Sequence, residues 1–340
     1  MPPHRLTRRS FLRRLAMAGA GLAAASALPP VLAGQWDAEA ATPKGTALTR
    51  TFLAMGTFVA MTVVHESTAL SEEAMGRALD DIRALEALLS RFAPDSALSA
   101  LNGHGRLSGP PPELSAVISR SRAAHALSAG AFDPTILPVL DLVAASVDPD
   151  GEVDVPEAEL RLALERTGLD RVHSRGQSLS MDAGMALTLD GVAKGYIVDR
   201  AAECLERSRA SRFLVNAGGD IRCSGGGWTV AVQDPSGTGG TASLGLDHGA
   251  VATSGGYEIS FGRQGLYNHV IDPRTGRSPR LTASATVAAP TASEADALST
   301  AALVMRPRRV MDMIRSLPGR HGLLVAADGA RLADPRWPGA

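Results

Sequence analysis

Two hydrophobic periods alternate along this chain. Between Ser71 and Leu89, the residues Ala78, Ile82, Leu85 and Leu89 recur at three- and four-residue spacing. This predicts a helix with one buried stripe, its start marked by Ser71, Glu73 and an acidic first turn. Pro112 to Ser128 predicts a second helix, with Leu114, Val117, Ile118 and Ala124 facing inward, and Pro156 to Thr167 a third. Thr51 to Val64 is rich in β-branched and apolar residues and interrupted by Gly56, the pattern of a strand or a bulged hairpin arm. The apolar run Ala186 to Leu189 reads as the end of a strand, followed by a helix that opens at Gly191 and runs to about 207. Strands are predicted at 212–216, 228–233, 243–247, 250–253, 267–271 and 283–289, separated by Gly-rich turns. Helices over Ser293 to Met305 and Arg308 to Leu317 and a strand over Leu323 to Ala326 close the chain. Helices and strands mix without a strict βαβ repeat, so the expected class is α+β with a largely antiparallel sheet.

The first residues follow a different pattern. Thr7-Arg8-Arg9-Ser10-Phe11-Leu12-Arg13 is a twin-arginine signature, and an Ala/Gly-rich apolar run from Leu15 to Ala27 follows it. That run is short for a membrane span. Val31-Leu32-Ala33 and Ala38-Glu39-Ala40 carry the small-residue pattern of a cleavage site. The expected organisation is a signal peptide over 1–33, a linker over 34–50 and one folded domain over 51–335. Twin-arginine signals are receptor-read export addresses, so a periplasmic or otherwise exported protein is expected, without a stable membrane span once the signal is removed.

Composition narrows the function. The 340 residues are 45% hydrophobic and 20% charged, enough apolar residue to bury a core. The formal charge is -1, and losing residues 1–33 removes five arginines and no acid, leaving -6. Neither that balance nor 4% aromatics suits nucleic acid. Two cysteines, Cys204 and Cys223, cannot build a thiolate zinc cage; Cys204 is expected in a core and Cys223 in a Gly-rich turn. There is no phosphate-binding P-loop, no G-x-G-x-x-G after a strand, no G-x-S-x-G elbow, no S-x-x-K and no H-E-x-x-H.

Several segments carry candidate chemistry. In Ser293-Glu294-Ala295-Asp296-Ala297-Leu298-Ser299-Thr300-Ala301, Asp296 and Thr300 stand four apart on a helix, and Ser299 borders the same face. One carboxylate with one or two hydroxyls suits a hard cation such as magnesium, which keeps waters and substrate phosphates as its other ligands. The same residues also suit a capped helix with Ser293 as N-cap. In Leu187-Thr188-Leu189-Asp190-Gly191-Val192-Ala193-Lys194-Gly195-Tyr196, a lysine stands in a helix's first turn. The macrodipole disfavours a cation there, and a bound phosphate would relieve the mismatch; an exposed lysine is the alternative. Tyr267 to Pro279 contains Asp272-Pro273-Arg274-Thr275-Gly276, a tight turn, with His269 as a candidate base or a structural histidine and Asp272 as an Asx-turn residue. Gly130-Ala131-Phe132-Asp133-Pro134-Thr135 offers an aromatic face and a carboxylate to a heterocycle, or else a hydrophobic plug and a turn. Phe213 to Ile221 and Val251 to Tyr257 are strands entering Gly-Gly turns, where glycine permits close backbone approach.

Together these segments resemble one family, the FAD:protein FMN transferases, or ApbE family. The resemblance runs from Met55-Gly56-Thr57 through Ser90-Arg91-Phe92, Asp95 to Asn102, Gly130 to Thr135, Asp190 to Asp199, Val215 to Asp220, Trp228 to Pro235, Ala252 to Tyr257 and His269 to Pro279 to Ala295–Ala301. Each match is weak alone; their number and order make the resemblance specific.

The resemblance implies transfer of the FMN half of FAD onto a threonine hydroxyl of a target flavoprotein, an exported or membrane-bound electron-transfer protein, with release of AMP. By position it implies magnesium held by the Gly191 carbonyl, Asp296 and Thr300. Ser299 stands where many members have an aspartate and is the further metal-ligand candidate. Met55, Phe92, Ala131, Phe132, Asp133, Lys194, His269 and Val270 would contact the flavin. Thr188 occupies the place of an aspartate that meets the adenosine. Lys194 and the metal would neutralise the pyrophosphate, and His269 is the candidate base, with Asp133 or Asp190 as substitutes. No lipobox is present, which matches a soluble exported branch. The competing readings are hydrolysis of FAD to FMN and AMP, in which water replaces the threonine, and a non-catalytic periplasmic FAD-binding protein.

Overall fold

A computed structural model describes residues 45–232, 235, 242–257, 260–261 and 267–337. The segment 1–33 expected as a signal peptide, the expected linker up to 44 and part of the Trp228–Pro235 match lie outside them.

The α+β class with a largely antiparallel sheet is what the structure shows. Eight strands form one sheet: β1 (Thr46–Ala54), β2 (Thr57–His65), β3 (Arg212–Ala217), β4 (Asp220–Ser224), β5 (Gly249–Gly255), β6 (Thr282–Ala289), β7 (His321–Ala326) and β8 (Arg331–Ala333). They pair in chain order, every pair antiparallel. Smaller sheets join 106–108, 178–181 and 172–175, then 228–232 with 242–246, and 260–261 with 267–268.

Side-chain alternation divides the core. Val59, Met61 and Val63 of β2, Phe213 and Val215 of β3, Ala250 and Ala252 of β5, and Ala285 and Val287 of β6 join the main core. Ile221, Val251, Ala288 and Leu323 instead join a second cluster with Val230, Val232, Leu244 and Trp337. The main core also takes the buried stripes of α1 (Thr68–Leu89), α2 (Ala97–His104), α3 (Pro112–Leu127), α6 (Ala193–Arg207), α7 (Ala292–Val304) and α8 (Pro307–Ser316). A third cluster forms between α4 (Leu137–Ala145) and α5 (Glu157–Leu164), with Phe261, Tyr267 and Ile271. No helix of the described residues is long and apolar enough to cross a membrane.

The differences from the sequence pattern have local causes. The strand before the Gly56 turn begins at Thr46, inside the expected linker, because β1 pairs residue for residue with β2 as far as Thr46 and His65. Trp337 is buried, so packing extends past residue 335. Helix α1 starts a turn early because Ser67 caps it, accepting from Leu70 N at 3.3 Å, and Ser71 is buried inside it. Thr291, not Ser293, caps α7, accepting from Glu294 N at 3.3 Å. Residues 186–189 join no sheet: Asn102 bonds both backbone groups of Leu187 at 2.8 Å, and Thr188 N donates to Pro134 O. Helix α6 starts at Ala193, after a turn that includes Gly191. The strand expected at 267–271 stops at Asn268, whose Oδ1 takes the amide of Val270 at 2.8 Å. Cys223 is in β4 rather than a turn, and burial pushes its thiol up to about 12; Cys204 is buried in α6, as expected.

Candidate active site

The β1–β2 turn, the end of α1, the loop after α3 and the start of α6 enclose a cleft of about 470 Å³ with one face of α7. Met55, Phe92, Ala131, Phe132, Asp133, Thr188, Gly191, Lys194, His269, Val270, Asp296 and Thr300 all line it. Ser299 does not: it is wholly buried.

Met55 and Gly56 form a two-residue hairpin turn with φ of 51° and 72°. Positive φ at both central positions marks a type I′ turn, and a methionine there is strained. The Met55 amide donates to Glu86 Oε2 at 2.8 Å, which ties the turn to α1. Arg91 lies 4.1 Å from the Phe92 ring centroid and donates to Asp190 Oδ2 at 2.9 Å. Asp133 Oδ1 accepts from both the amide and the hydroxyl of Thr135, so this carboxylate organises its own turn. Both proposed substitutes for the base, Asp133 and Asp190, therefore hold other partners. His269 is half-buried on the cleft wall. Its loop is held by Ser278 Oγ, which accepts from Asn268 N at 2.8 Å. Thr188 Oγ1 accepts from Asp190 N at 3.3 Å. Asp272 forms the expected Asx turn, accepting from Arg274 N.

Helix α7 carries Asp296 and Thr300 one turn apart, beside the start of α6. A β-carbon on Gly191 would lie 3.0 Å from Thr300 Oγ1 and 3.3 Å from Phe132, so glycine there lets the backbone approach the threonine hydroxyl. Asp296, 4% exposed, accepts from Gly195 N at 3.0 Å. Lys194 Nζ lies 3.4 Å from Asp220 Oδ2, so the lysine is partly buried rather than freely exposed. Asp220 follows the Gly218-Gly219 turn and was not singled out in the sequence; its signal was the turn itself.

Ser254 is a second residue that sequence reasoning passed over. Ser299 donates its hydroxyl to Asp296 O at 2.9 Å, and its oxygen lies 2.7 Å from Ser254 Oγ. A hydroxyl has one hydrogen, so Ser254 is the donor to Ser299. Ser254 Oγ is also 3.3 Å from Thr300 Oγ1, and its hydrogen is already used. Thr300 therefore donates in that contact and keeps its lone pairs as acceptors. Ser299 thus belongs to a hydroxyl relay behind Thr300.

The donors fit a magnesium ion. One buried carboxylate, one hydroxyl with its lone pairs kept and the carbonyl of a glycine packed close to that hydroxyl are all hard oxygens, and magnesium takes few protein ligands. Among the described residues no cluster of three or more His, Cys, Asp and Glu is placed to hold a metal.

The model described as the ApbE family matches residues 55–324. The FAD:protein FMN transferase of Treponema pallidum is 32% identical over 313 residues, covering 82% of this chain and 84% of that protein. The protein of the same name from Escherichia coli K12 is 32% identical over 289 residues, covering 80% and 81%. The crystal structure of the ApbE protein from Thermotoga maritima superposes with a TM-score of 0.78 at 30% identity, covering 85% of this chain and 97% of that one.

Proposed function

Because the chain belongs to the ApbE family and is an FAD:protein FMN transferase, we propose that it uses magnesium to move FMN from FAD onto a threonine hydroxyl of an exported flavoprotein. The observation that carries this reading is the meeting of Asp296 and Thr300 of α7 with Gly191, in the turn before α6, and Lys194 of α6 on one cleft wall.

Asp296, Thr300 and the Gly191 carbonyl would hold the magnesium ion, which when bound offsets pyrophosphate charge and the charge that develops on the departing AMP. Lys194, held by Asp220, presents its ammonium to the same phosphates. Met55, Phe92, Ala131, Phe132 and Val270 form the apolar wall for the isoalloxazine ring, while Thr188 meets the adenosine side. His269 takes the proton of the acceptor hydroxyl as its oxygen bonds to the FMN phosphorus and the bond to the AMP oxygen breaks. In-line transfer of this kind depends on positioning and electrostatics and needs no covalent enzyme intermediate. The twin-arginine signature supports export before the acceptor is met.

The test incubates the protein with FAD, magnesium and a threonine-bearing acceptor domain, and reads the acceptor mass and AMP release. A mass gain of one FMN that is lost with EDTA and in Asp296→Ala supports the reading. AMP without acceptor gain, on every acceptor tried, would replace it with hydrolysis. Normal transfer by Asp296→Ala would remove the metal assignment.

A further inference from the structure

Helices α6 and α7 are tied by a closed ring of four positions. Gly195 and Asp199 stand one turn apart on α6, and Ala292 and Asp296 stand one turn apart on α7. Gly195 N donates to Asp296 Oδ2 at 3.0 Å. In return, Asp199 Oδ1 accepts from Ala292 N at 2.7 Å and Oδ2 from Ser293 N at 3.0 Å. Each carboxylate thus sits on the opening turn of the other helix, where amides have no intrahelical acceptor and the macrodipole favours negative charge. The helices approach closely because residue 195 has no side chain: a β-carbon there would collide with the Ala292 carbonyl.

The two aspartates differ in what they face. Asp296 lines the cleft; Asp199 does not. Asp199 is 4% exposed, and Arg120 and Arg222 lie 3.9 and 4.0 Å away, charge neighbours beyond hydrogen-bond range. Burial raises its carboxyl above the usual aspartate value, against the pull of the two amides and the two arginines. Thr291 caps α7 at Glu294 N only, so the Ala292 and Ser293 amides depend on Asp199.

We propose that Asp199 is a positioning residue for the cation site: by gripping the first two amides of α7, it fixes Asp296 and Thr300 against Gly191 and Lys194. It supplies no donor to the ion itself. This inference rests on reading Asp296 and Thr300 as the cation's ligands.

The test compares the full chain with Asp199→Asn, which is close in shape but turns an NH₂ toward one of the two amides. Magnesium dependence of AMP release, magnesium affinity by calorimetry, FAD affinity without metal by flavin fluorescence, and thermal unfolding are measured together. The expected result is a half-saturating magnesium concentration raised about 10- to 100-fold, the range seen when a residue that orients metal ligands is lost. Calorimetric magnesium affinity falls in parallel, FAD affinity without metal is unchanged, and turnover recovers at high magnesium. A folded variant with the native magnesium curve and affinity overturns the inference. So does a loss of turnover that magnesium cannot restore, accompanied by a loss of FAD affinity, since that is the signature of general misfolding. If Asp199→Asn does not fold, Asp199→Ser, which keeps one short acceptor, is read by the same criteria. Unchanged magnesium affinity in Asp296→Ala would overturn the ligand reading instead, which separates the two failures.

Discussion

Gly191 and Thr300 are in contact across the cleft wall, so close that any side chain on the glycine would press on the threonine hydroxyl. The glycine stands in the turn before α6 and the threonine on the last turns of α7, 109 positions apart in sequence. Gly191→Ala would push on both Thr300 and Phe132. Overpacking of this kind costs about 1–3 kcal/mol. The expected outcome is a lower melting temperature and a weaker response of turnover to magnesium, checked by thermal unfolding and a magnesium titration.

Lys194 faces Asp220 at 3.4 Å. Removing a charge aimed at developing negative charge costs about 10²- to 10³-fold in kcat. Lys194→Met is expected to lower kcat in that range. Asp220→Asn is expected to lower it less, because the ammonium stays while its orientation loosens. Steady-state AMP release measures both.

Met55 has φ of 51° in the β1–β2 turn. Left-handed backbone costs a non-glycine residue about 1–2 kcal/mol. Met55→Gly is therefore expected to keep or raise the melting temperature while weakening FAD binding, since the side chain that lines the cleft is gone. Unfolding and flavin fluorescence together separate the two effects.

Asp334 gives a pH-dependent prediction away from the cleft. Burial tends to raise its carboxyl, but hydrogen bonds from the Arg336 side chain and amide, the Arg336 charge and His321 outweigh it and hold the group below its usual 3.8. A carboxyl lowered in the folded state adds stability above its unfolded value and loses it as pH falls through the folded value. Asp334→Asn is expected to cost about 1–3 kcal/mol near neutrality. The difference from the native protein should shrink below pH 3.8, the window set by that lowered value. Denaturant unfolding at both pH values measures this.

Much of the fold was legible because periodicity is a local signal. The stripe of Ala78, Ile82, Leu85 and Leu89 placed α1 to within a few residues, and Leu114, Val117, Ile118 and Ala124 placed α3. Boundaries slipped where a cap or a side-chain bond decided them. Ser67 and Thr291 cap their helices instead of Ser71 and Ser293, and Asn102 keeps Leu187 out of a sheet. The helices Ala97–His104 and Leu137–Ala145 were not predicted. The first spans only eight residues, and the second is apolar nearly throughout, so neither shows a clear stripe.

The sequence by itself determined the α+β class, the Asp296–Thr300 pair on one helical face and the family resemblance, because each depends on residue type at short spacing or on ordered motifs. Only the tertiary structure decided that Ser299 is buried in a hydroxyl relay, that Asp220 holds Lys194, and that Asp199 and Asp296 cap each other's helices. Those relationships join residues 26 to 101 positions apart. Such contacts depend on how α6 and α7 cross over the sheet, and no local period encodes that crossing.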